Sequence, residues 1–415
     1  MLSVSMIIFY ILTFLAVYIQ VFFLVTFFEN RKKIIKREGN ITLSDYPVVT
    51  VIVPCWNEET TIFGTMQSLF NLNYPKDKIK ILLIDDGSTD NTWNVISKFT
   101  NHENVKVFKK ENGGKYTAIN LGLDQTDTEF VGCLDADSFV HPEALSRIMS
   151  YFEKDSSTMA VAPSIIVNNP VTIIQKAQKA EYDMAVYIKK MLAFMGAIHV
   201  TPGPFTIFRK KVFNDLGPYR HAHNTEDMEI AFRMQKNYYK IEQCNDAFIY
   251  TNTPSTIGKL FRQRLRWIYG FINNTIDYKD TLFRTKYGNF SLFTVPSGII
   301  SVTAAVYLFG KLAYSLGSFI VSKFNQISII GIHNLSVPAS HFSLFYFNTQ
   351  ALLFISIFLY SAIILSMILG YRMAYGKMVF SLDMAYFFVI FSVIAPFWIL
   401  NAIYNTAISK RPAWR

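Results

Sequence analysis

Four clusters of charged residues in this 415-residue chain are candidates for chemistry. Asp135-Ala136-Asp137 ends the apolar stretch EFVGCLDAD (129–137), an expensive place for two carboxylates unless something positive meets them. A hard divalent cation, Mg²⁺ or Mn²⁺, bridging carboxylate and phosphate oxygens would satisfy them. A helix N-cap, with Ser138, Pro142 and Glu143 following, accounts for the same residues. Asp85-Asp86 closes a second apolar run, where a carboxylate can accept a hydrogen bond from a base or ribose, or begin an Asp-Gly-Ser turn. Thr225-Glu226-Asp227 follows the polar HAHN (221–224) and opens a helical stretch. It offers either a general base for an acceptor hydroxyl or acidic residues in a helix's first turn. Gln263-Arg264-Leu265-Arg266-Trp267 lies on a basic, amphipathic segment from Ile257 to Phe271. An interfacial helix under anionic headgroups explains its basic residues and Trp267 as types, but not their spacing.

The elements that must position these clusters read as an α/β unit. From Val48 to about Asn252, apolar runs alternate with helical stretches, the pattern of a parallel α/β sheet. VVTVIVP (48–54), IKILLIDD (79–86), residues 104–108 and EFVGCLDAD are the strand candidates. Each ends in polar residues, and in open sheets of this kind ligands bind beyond the carboxyl ends of the strands. Cys55, Cys133 and Cys244 lack CxxC spacing, so they are expected to be buried free thiols rather than a zinc site or disulfides.

The rest of the chain is membrane-like. Hydrophobic residues make up 51% and charged residues only 17% of the whole, against roughly 25% charged in an average soluble domain. Residues 4–28 form an uncharged run long enough to cross a bilayer of roughly 30 Å. It has no basic flank before it and no small-x-small site after it, so it reads as an anchor rather than a cleaved signal. Arg31, Lys32, Lys33, Lys36 and Arg37 follow it and place the middle domain in the cytoplasm. Three further apolar blocks span about 291–321, 344–371 and 378–408. Three crossings there would leave Lys410, Arg411 and Arg415 outside, against the positive-inside tendency, unless Pro296 or Pro396 turns one block into an interfacial or re-entrant element. The expected domains are therefore a membrane helix over 1–30, an α/β domain over 46–255, interface helices over 256–288 and a membrane region over 289–408. The net charge of +10 sits where membrane-adjacent charge belongs, which argues against a nucleic-acid partner.

Taken in order, PCWNEE (54–59), IDDGSTDNT (84–92), NGGKYTAIN (112–120), LDADS (134–138), PGPFTIFRK (202–210), TED and QRLRW resemble the processive, membrane-embedded family 2 glycosyltransferases. That group includes cellulose, chitin, hyaluronan and poly-N-acetylglucosamine synthases, and in length and in its single N-terminal helix the chain is most similar to the last. The resemblance implies a Rossmann-like GT-A domain, with Trp56, Glu58 and Asp86, and less directly Asp85, holding the uridine of a UDP-sugar. Lys115 would face the donor, Asp135 the donor sugar or nucleotide, and Asp137 the divalent metal. Asp227 would be the catalytic base with Glu226 beside it. Gln263, Arg264 and Arg266 would contact diphosphate, Trp267 would form a platform under the acceptor sugar, and Pro202 to Thr206, including Gly203, Pro204 and Phe205, would line the acceptor end. Trp56 stands where the family more usually has Tyr or Phe, and Tyr116 where it has a small residue.

The reaction so implied is an inverting transfer to a growing polysaccharide, exported across the cell membrane by a multi-pass protein, with a small membrane subunit as a further partner. A hyaluronan- or cellulose-like product, a single sugar added to a lipid, and a non-catalytic nucleotide-binding transporter are the alternatives. Under the transporter reading Asp227→Asn would leave activity untouched.

Overall fold

The computed structural model describes residues 4–34, 41–330 and 351–412. Lys36, Arg37, the polar residues 331–341, the first residues of the second apolar block (344–350) and Arg415 lie outside the described residues. Helix α1 (Val4–Ile34) ends on Arg31, Lys32 and Lys33. The α/β unit then begins with β1 (Val49–Cys55), where Val49, Thr50, Val51, Ile52 and Val53 follow one another and all are buried. Such a β-branched run suits a strand covered on both faces. Next come α2 (Ile62–Phe70), β2 (Ile79–Asp86), α3 (Thr92–Ile96), β3 (Val105–Lys110), α4 (Lys115–Asp124) and β4 (Phe130–Cys133). Strands β1 to β4 are mutually parallel in the order β3-β2-β1-β4.

The second half, β5 (Ser138–Val140), α5 (Ala144–Lys154), β6 (Thr158–Val167), α6 (Ile173–Phe194), β7 (Ile207–Arg209), α7 (Lys211–Leu216), α8 (Glu226–Lys236) and β8 (Lys240–Thr251), departs from the parallel sheet expected. The full order is β3-β2-β1-β4-β7-β6-β8-β5. Here β7 runs antiparallel to both β4 and β6, and β5 antiparallel to β8. The cause is local: a turn through Phe205, at φ 62°, delivers the three-residue β7 back into the sheet. There the Phe205 N–H donates to the Cys133 carbonyl at 2.5 Å.

Alternate strand residues fill two cores. Val49, Val51, Val53, Ile81 and Leu83 pack under α2 and α5, while Ile52, Leu82 and Ile84 pack with α4, α6 and α8 and with Phe23 and Phe27 of α1. Each such fully buried side chain contributes about 1.5–3 kcal/mol. All three cysteines are buried and free, and burial pushes their thiol pKa values up.

Beyond the sheet stand α9 (Ile257–Asp277), α10 (Val295–Ile330), α11 (Ala351–Tyr375) and α12 (Leu382–Ala407). Four helical stretches, Val4–Ile34, Phe290–Ser328, Leu353–Tyr375 and Leu382–Ala407, are long and apolar enough to cross a membrane, so this is a membrane protein. Neither proline breaks its helix: Pro296 follows a π-helical turn over Phe290–Thr294 that runs straight into α10, and α12 runs through Pro396.

Candidate active site

The loops after β1, β2 and β4 open into one cavity of about 1060 Å³. The β1 and β2 ends are stitched together: Asn57 N–H donates to Ser88 Oγ at 3.0 Å and Glu58 N–H to Thr92 Oγ1 at 2.8 Å. Trp56 and Glu58 then line the cavity. Asp86 lines it too, with a carboxylate that already accepts three hydrogen bonds, from Lys110 Nζ at 2.5 Å and from the Gly113 and Gly114 N–H groups at 3.1 and 3.0 Å. Asp86 therefore shapes the turn that launches α4 and its first residue, Lys115. Asp85 lies one layer deeper, fully buried and off the cavity wall, with Oδ1 accepting from the Ser88 N–H at 3.1 Å.

Lys115 Nζ is the hub of the acidic cluster, 2.5 Å from Asp135 Oδ1 and 3.6 Å from Glu226 Oε1. Burial acts to lower its pKa, but these two carboxylates outweigh it and hold the ammonium well above its ordinary range. Gly203 and Pro204 close over the pair. A Cβ at Gly203 would come within 2.8 Å of Lys115 Nζ, so a side chain there would displace the ammonium, whereas Phe205 behind it is fully buried. Asp137 also lines the cavity and starts no helix, since Ser138 opens β5.

Asp227 stands in the first turn of α8. Met228 N–H donates to its Oδ1 at 2.9 Å, and Thr201 holds its carbonyl through both N–H and Oγ1 at 3.1 and 2.9 Å. Burial first, and the Glu226 charge second, push its carboxyl pKa up to about 6, against the pull of Lys115 and Arg266. Thr225 is not a side-chain cap. Its hydroxyl donates to the Ala222 carbonyl and accepts from Asn274 Nδ2, both at 2.9 Å. The preceding turn is strained, because Ala222, His223 and Asn224 all have positive φ, at 42°, 56° and 63°. Such residues cost of order 1–3 kcal/mol each and persist only where the surroundings over-determine them. Here Arg266 Nη1 donates to the Asn224 carbonyl at 3.0 Å, and His223 pairs with Asp277 at 2.8 Å.

Gln263, Arg266 and Trp267 of α9 line the same cavity, and Arg264 does not. The expectation of a diphosphate contact from Arg264 meets a different placement: its buried guanidinium pairs with Glu181 of α6 at 2.5 Å and lies 4.0 Å over the Trp267 ring. It is a positioning group for Trp267. Of the expected site residues, then, Asp85, Phe205, Thr206 and Arg264 stand behind the wall.

The sequence reading missed Glu181, Lys189, His199 and Gly270. Lys189 and His199 line the cavity, and burial lowers their pKa values to about 8 and about 4. Gly270 faces Thr225, where a Cβ would meet Cγ2 and Oγ1 at 2.3 Å. Gly270→Ala is expected to push the Thr225-Glu226-Asp227 turn away from α9, with a stability cost of about 1–3 kcal/mol and a fall in kcat larger than any rise in donor KM. Thermal unfolding and donor titration in detergent check it, and an unperturbed kcat would contradict it.

The carboxylates also bear on metal. Asp135 is paired to Lys115, and among the described residues no three His, Cys, Asp or Glu side chains gather as a metal cage. One or two carboxylates completed by phosphate oxygens is how Mg²⁺ is commonly held, so Asp137 fits such an ion with the donor's phosphates as the remaining ligands.

A nucleotide-sized cavity with carboxylates, a lysine and an arginine at a sheet's carboxyl edge is matched by what the chain is similar to. The family model described as "Glycosyl transferase family 2" matches residues 50–217. A poly-beta-1,6-N-acetyl-D-glucosamine synthase of Staphylococcus epidermidis is 30% identical over 311 residues, covering 74% of this chain and 72% of that protein. The chain belongs to glycosyltransferase family 2. A synthase of the same name from Staphylococcus aureus (strain COL) is 32% identical over 238 residues, 57% of each chain. Among solved structures, the mannosyltransferase PcManGT from Pyrobaculum calidifontis, in complex with GDP-Man and Mn²⁺, superposes with a TM-score of 0.61 at 16% identity, over 96% of this chain and 99% of that one. The fold of this family 2 enzyme is accordingly GT-A, with long apolar helices on both sides of the α/β unit.

Proposed function

We propose that this glycosyltransferase moves a hexose or N-acetylhexosamine from a UDP-sugar to the end of a growing β-linked polysaccharide, with inversion, and that N-acetylglucosamine is the sugar. The single observation that carries the reading is that Asp137, Asp227, Arg266 and Trp267, far apart in sequence, line one cavity. The names of the two staphylococcal relatives favour the sugar. Residues 46–255 form the catalytic domain in this reading, 256–288 the interface with the bilayer, and 1–30 and 289–408 the membrane region, with the catalytic side cytoplasmic.

In the proposed mechanism, Trp56 and Glu58 hold the uridine against the loop that Asp86 shapes, with Asp85 supporting from below. Lys115, itself fixed by Asp135 and Glu226, presents an ammonium to the donor. Asp227 removes the proton from the acceptor hydroxyl on the face opposite the leaving group. A single base then suffices, and an α-linked donor gives a β-linkage. Arg266 and Gln263 meet the departing diphosphate in a site largely shielded from water, where fixed donors act strongly. A divalent ion at Asp137, when bound, supplies further positive charge there. Trp267, braced by Arg264, offers an aromatic face to the acceptor sugar. A small membrane subunit is a further proposed partner.

Purified protein in lipid, given radiolabelled UDP-GlcNAc, UDP-Glc or UDP-GlcA, tests the whole. The expected product is a high-molecular-weight polymer from UDP-GlcNAc, cut by a β-1,6-N-acetylglucosamine-specific hydrolase. A single-sugar glycolipid would eliminate the synthase reading.

A further inference from the structure

The last apolar helix, α12, has the length and composition of a membrane span, yet its neighbours are those of a helix lying flat. Its 26 residues measure about 39 Å at 1.5 Å per residue. One face rests on the catalytic unit from end to end. Near its start Met384 packs with Ala180 and Met184 of α6. In the middle Phe391, Ala395 and Trp398 pack with Ile174 of α6 and with Leu260 and Leu265 of α9. Near its end Thr406 Oγ1 accepts from Asn273 Nδ2 at 3.0 Å. Just beyond, the Pro412 carbonyl accepts from Asn224 Nδ2 at 3.3 Å, on the strained turn beside the cavity.

The underlying helices cannot enter hydrocarbon. Along α12's path, α6 carries Lys176, Lys179, Glu181 and Asp183, and α9 carries Lys259, Arg262, Arg264 and Arg266. A charged side chain at the bilayer centre costs several kcal/mol at the least. We infer that α12 does not cross the membrane but lies in its interface, seated on α6 and α9, and returns the C-terminus to the catalytic side.

The outer face names the occupant opposite the protein. Val389, Val393, Phe397, Leu400 and Tyr404 form an exposed stripe at helical spacing, continuous with α10 through the Phe309–Phe397 contact at 5.0 Å. That face meets lipid acyl chains and Lys410 at its end reaches the headgroups, while Arg411 lines a cleft of the catalytic unit with His221 and Glu229. The chain then crosses three times, by α1, α10 and α11. Helix α11 ends on the catalytic side, where Tyr375 Oη donates to Asp183 Oδ1 at 3.1 Å. Arg31, Lys32, Lys33, Arg372, Lys377, Lys410 and Arg411 thereby fall on one side, which removes the conflict with the positive-inside tendency.

The inference rests on α10 crossing, and the test separates the two. Single cysteines Asp77→Cys on the α/β unit, Asn325→Cys on the far part of α10 and Lys410→Cys after α12 are exposed, whereas the native cysteines are buried. Each variant, checked for retained transfer activity, is labelled with a membrane-impermeant maleimide in right-side-out and inside-out vesicles. Lys410→Cys is expected to follow Asp77→Cys, labelling at least tenfold more from that side, with Asn325→Cys showing the reverse. A Lys410→Cys that follows Asn325→Cys would overturn the inference, and Asn325→Cys labelling with Asp77→Cys would overturn it through its premise. A protease site appended after Arg415 gives an independent reading: cleavage from the Asp77 side supports the flat helix, and cleavage from the other side defeats it.

Discussion

Asp227→Asn is expected to lower turnover by about 10²- to 10⁴-fold, the range for removal of a positioned general base, while UDP-sugar binding stays within a few-fold of the parent. The asymmetry follows from position. In the proposed mechanism Asp227 meets the acceptor rather than the donor, and Lys115 is held by Asp135 and Glu226 without it. The amide also keeps an oxygen for the Met228 N–H, so the turn should survive. A second readout comes from pH. Burial and the Glu226 charge raise the Asp227 carboxyl to about 6, and only the ionised form can take a proton. Turnover should therefore climb as pH rises through about 6 and flatten above it. Stability should run the other way. The folded chain binds this proton more tightly than the unfolded chain, so the contribution is complete below the unfolded pKa of roughly 3.9 and is lost as pH rises through about 6. Steady-state kinetics across pH, with donor affinity measured separately, decide the matter. An Asp227→Asn enzyme within tenfold of the parent would remove Asp227 from the chemistry.

How much of this was legible in the sequence depends on what fixes each feature. Strands β1, β2 and β4 announce themselves because buried parallel strands need unbroken β-branched and apolar runs. The antiparallel insertion of β7 does not, since three residues carry no periodicity and their direction is set by the turn through Phe205. Many of the residues that line the cavity were legible because they end or closely follow a strand or open a helix, as Asp86, Lys115, Asp135, Glu226 and Asp227 do, where local sequence and cavity geometry coincide. Arg264 escaped for a reason that helical geometry already contains. At 100° per residue, Arg264 and Arg266 point some 200° apart, so a helix that turns Arg266 to the cavity must turn Arg264 away. Glu181 carries no signal, because its role comes from a partner 83 residues along the chain. Gly270 and the Ala222-His223-Asn224 turn are fixed by the packing of α9 against α8, which a pattern of residue types cannot show. The fourth apolar block is the sharpest case. Its composition is that of a span, and only the charged helices beneath it reveal a different orientation.

Asp137→Ala should produce the second large effect, a fall in metal-stimulated turnover on the order of 10²- to 10³-fold, comparable to losing one preorganised group at a developing charge. The prediction separates two carboxylates that sequence alone presents as a pair. Asp135 is neutralised by Lys115 at 2.5 Å, so it is poorly placed to serve as a metal ligand, and its loss would free the ammonium to lean on Glu226 at 3.6 Å. Asp135→Asn should therefore weaken donor binding while the enzyme still responds to Mn²⁺. Asp137→Ala should abolish the Mn²⁺ response and leave little for EDTA to inhibit, while EDTA stops the parent enzyme. The measurement is turnover titrated with Mn²⁺ in chelated enzyme, paired with Mn²⁺ binding followed by electron paramagnetic resonance in the presence of UDP. Binding should weaken sharply without UDP even in the parent, because no protein cage of three or more ligands exists among the described residues and the diphosphate must complete the coordination. An Asp137→Ala enzyme whose Mn²⁺ half-saturation matched the parent's would mean that the ion sits elsewhere, and that Asp137 faces the cavity for another purpose.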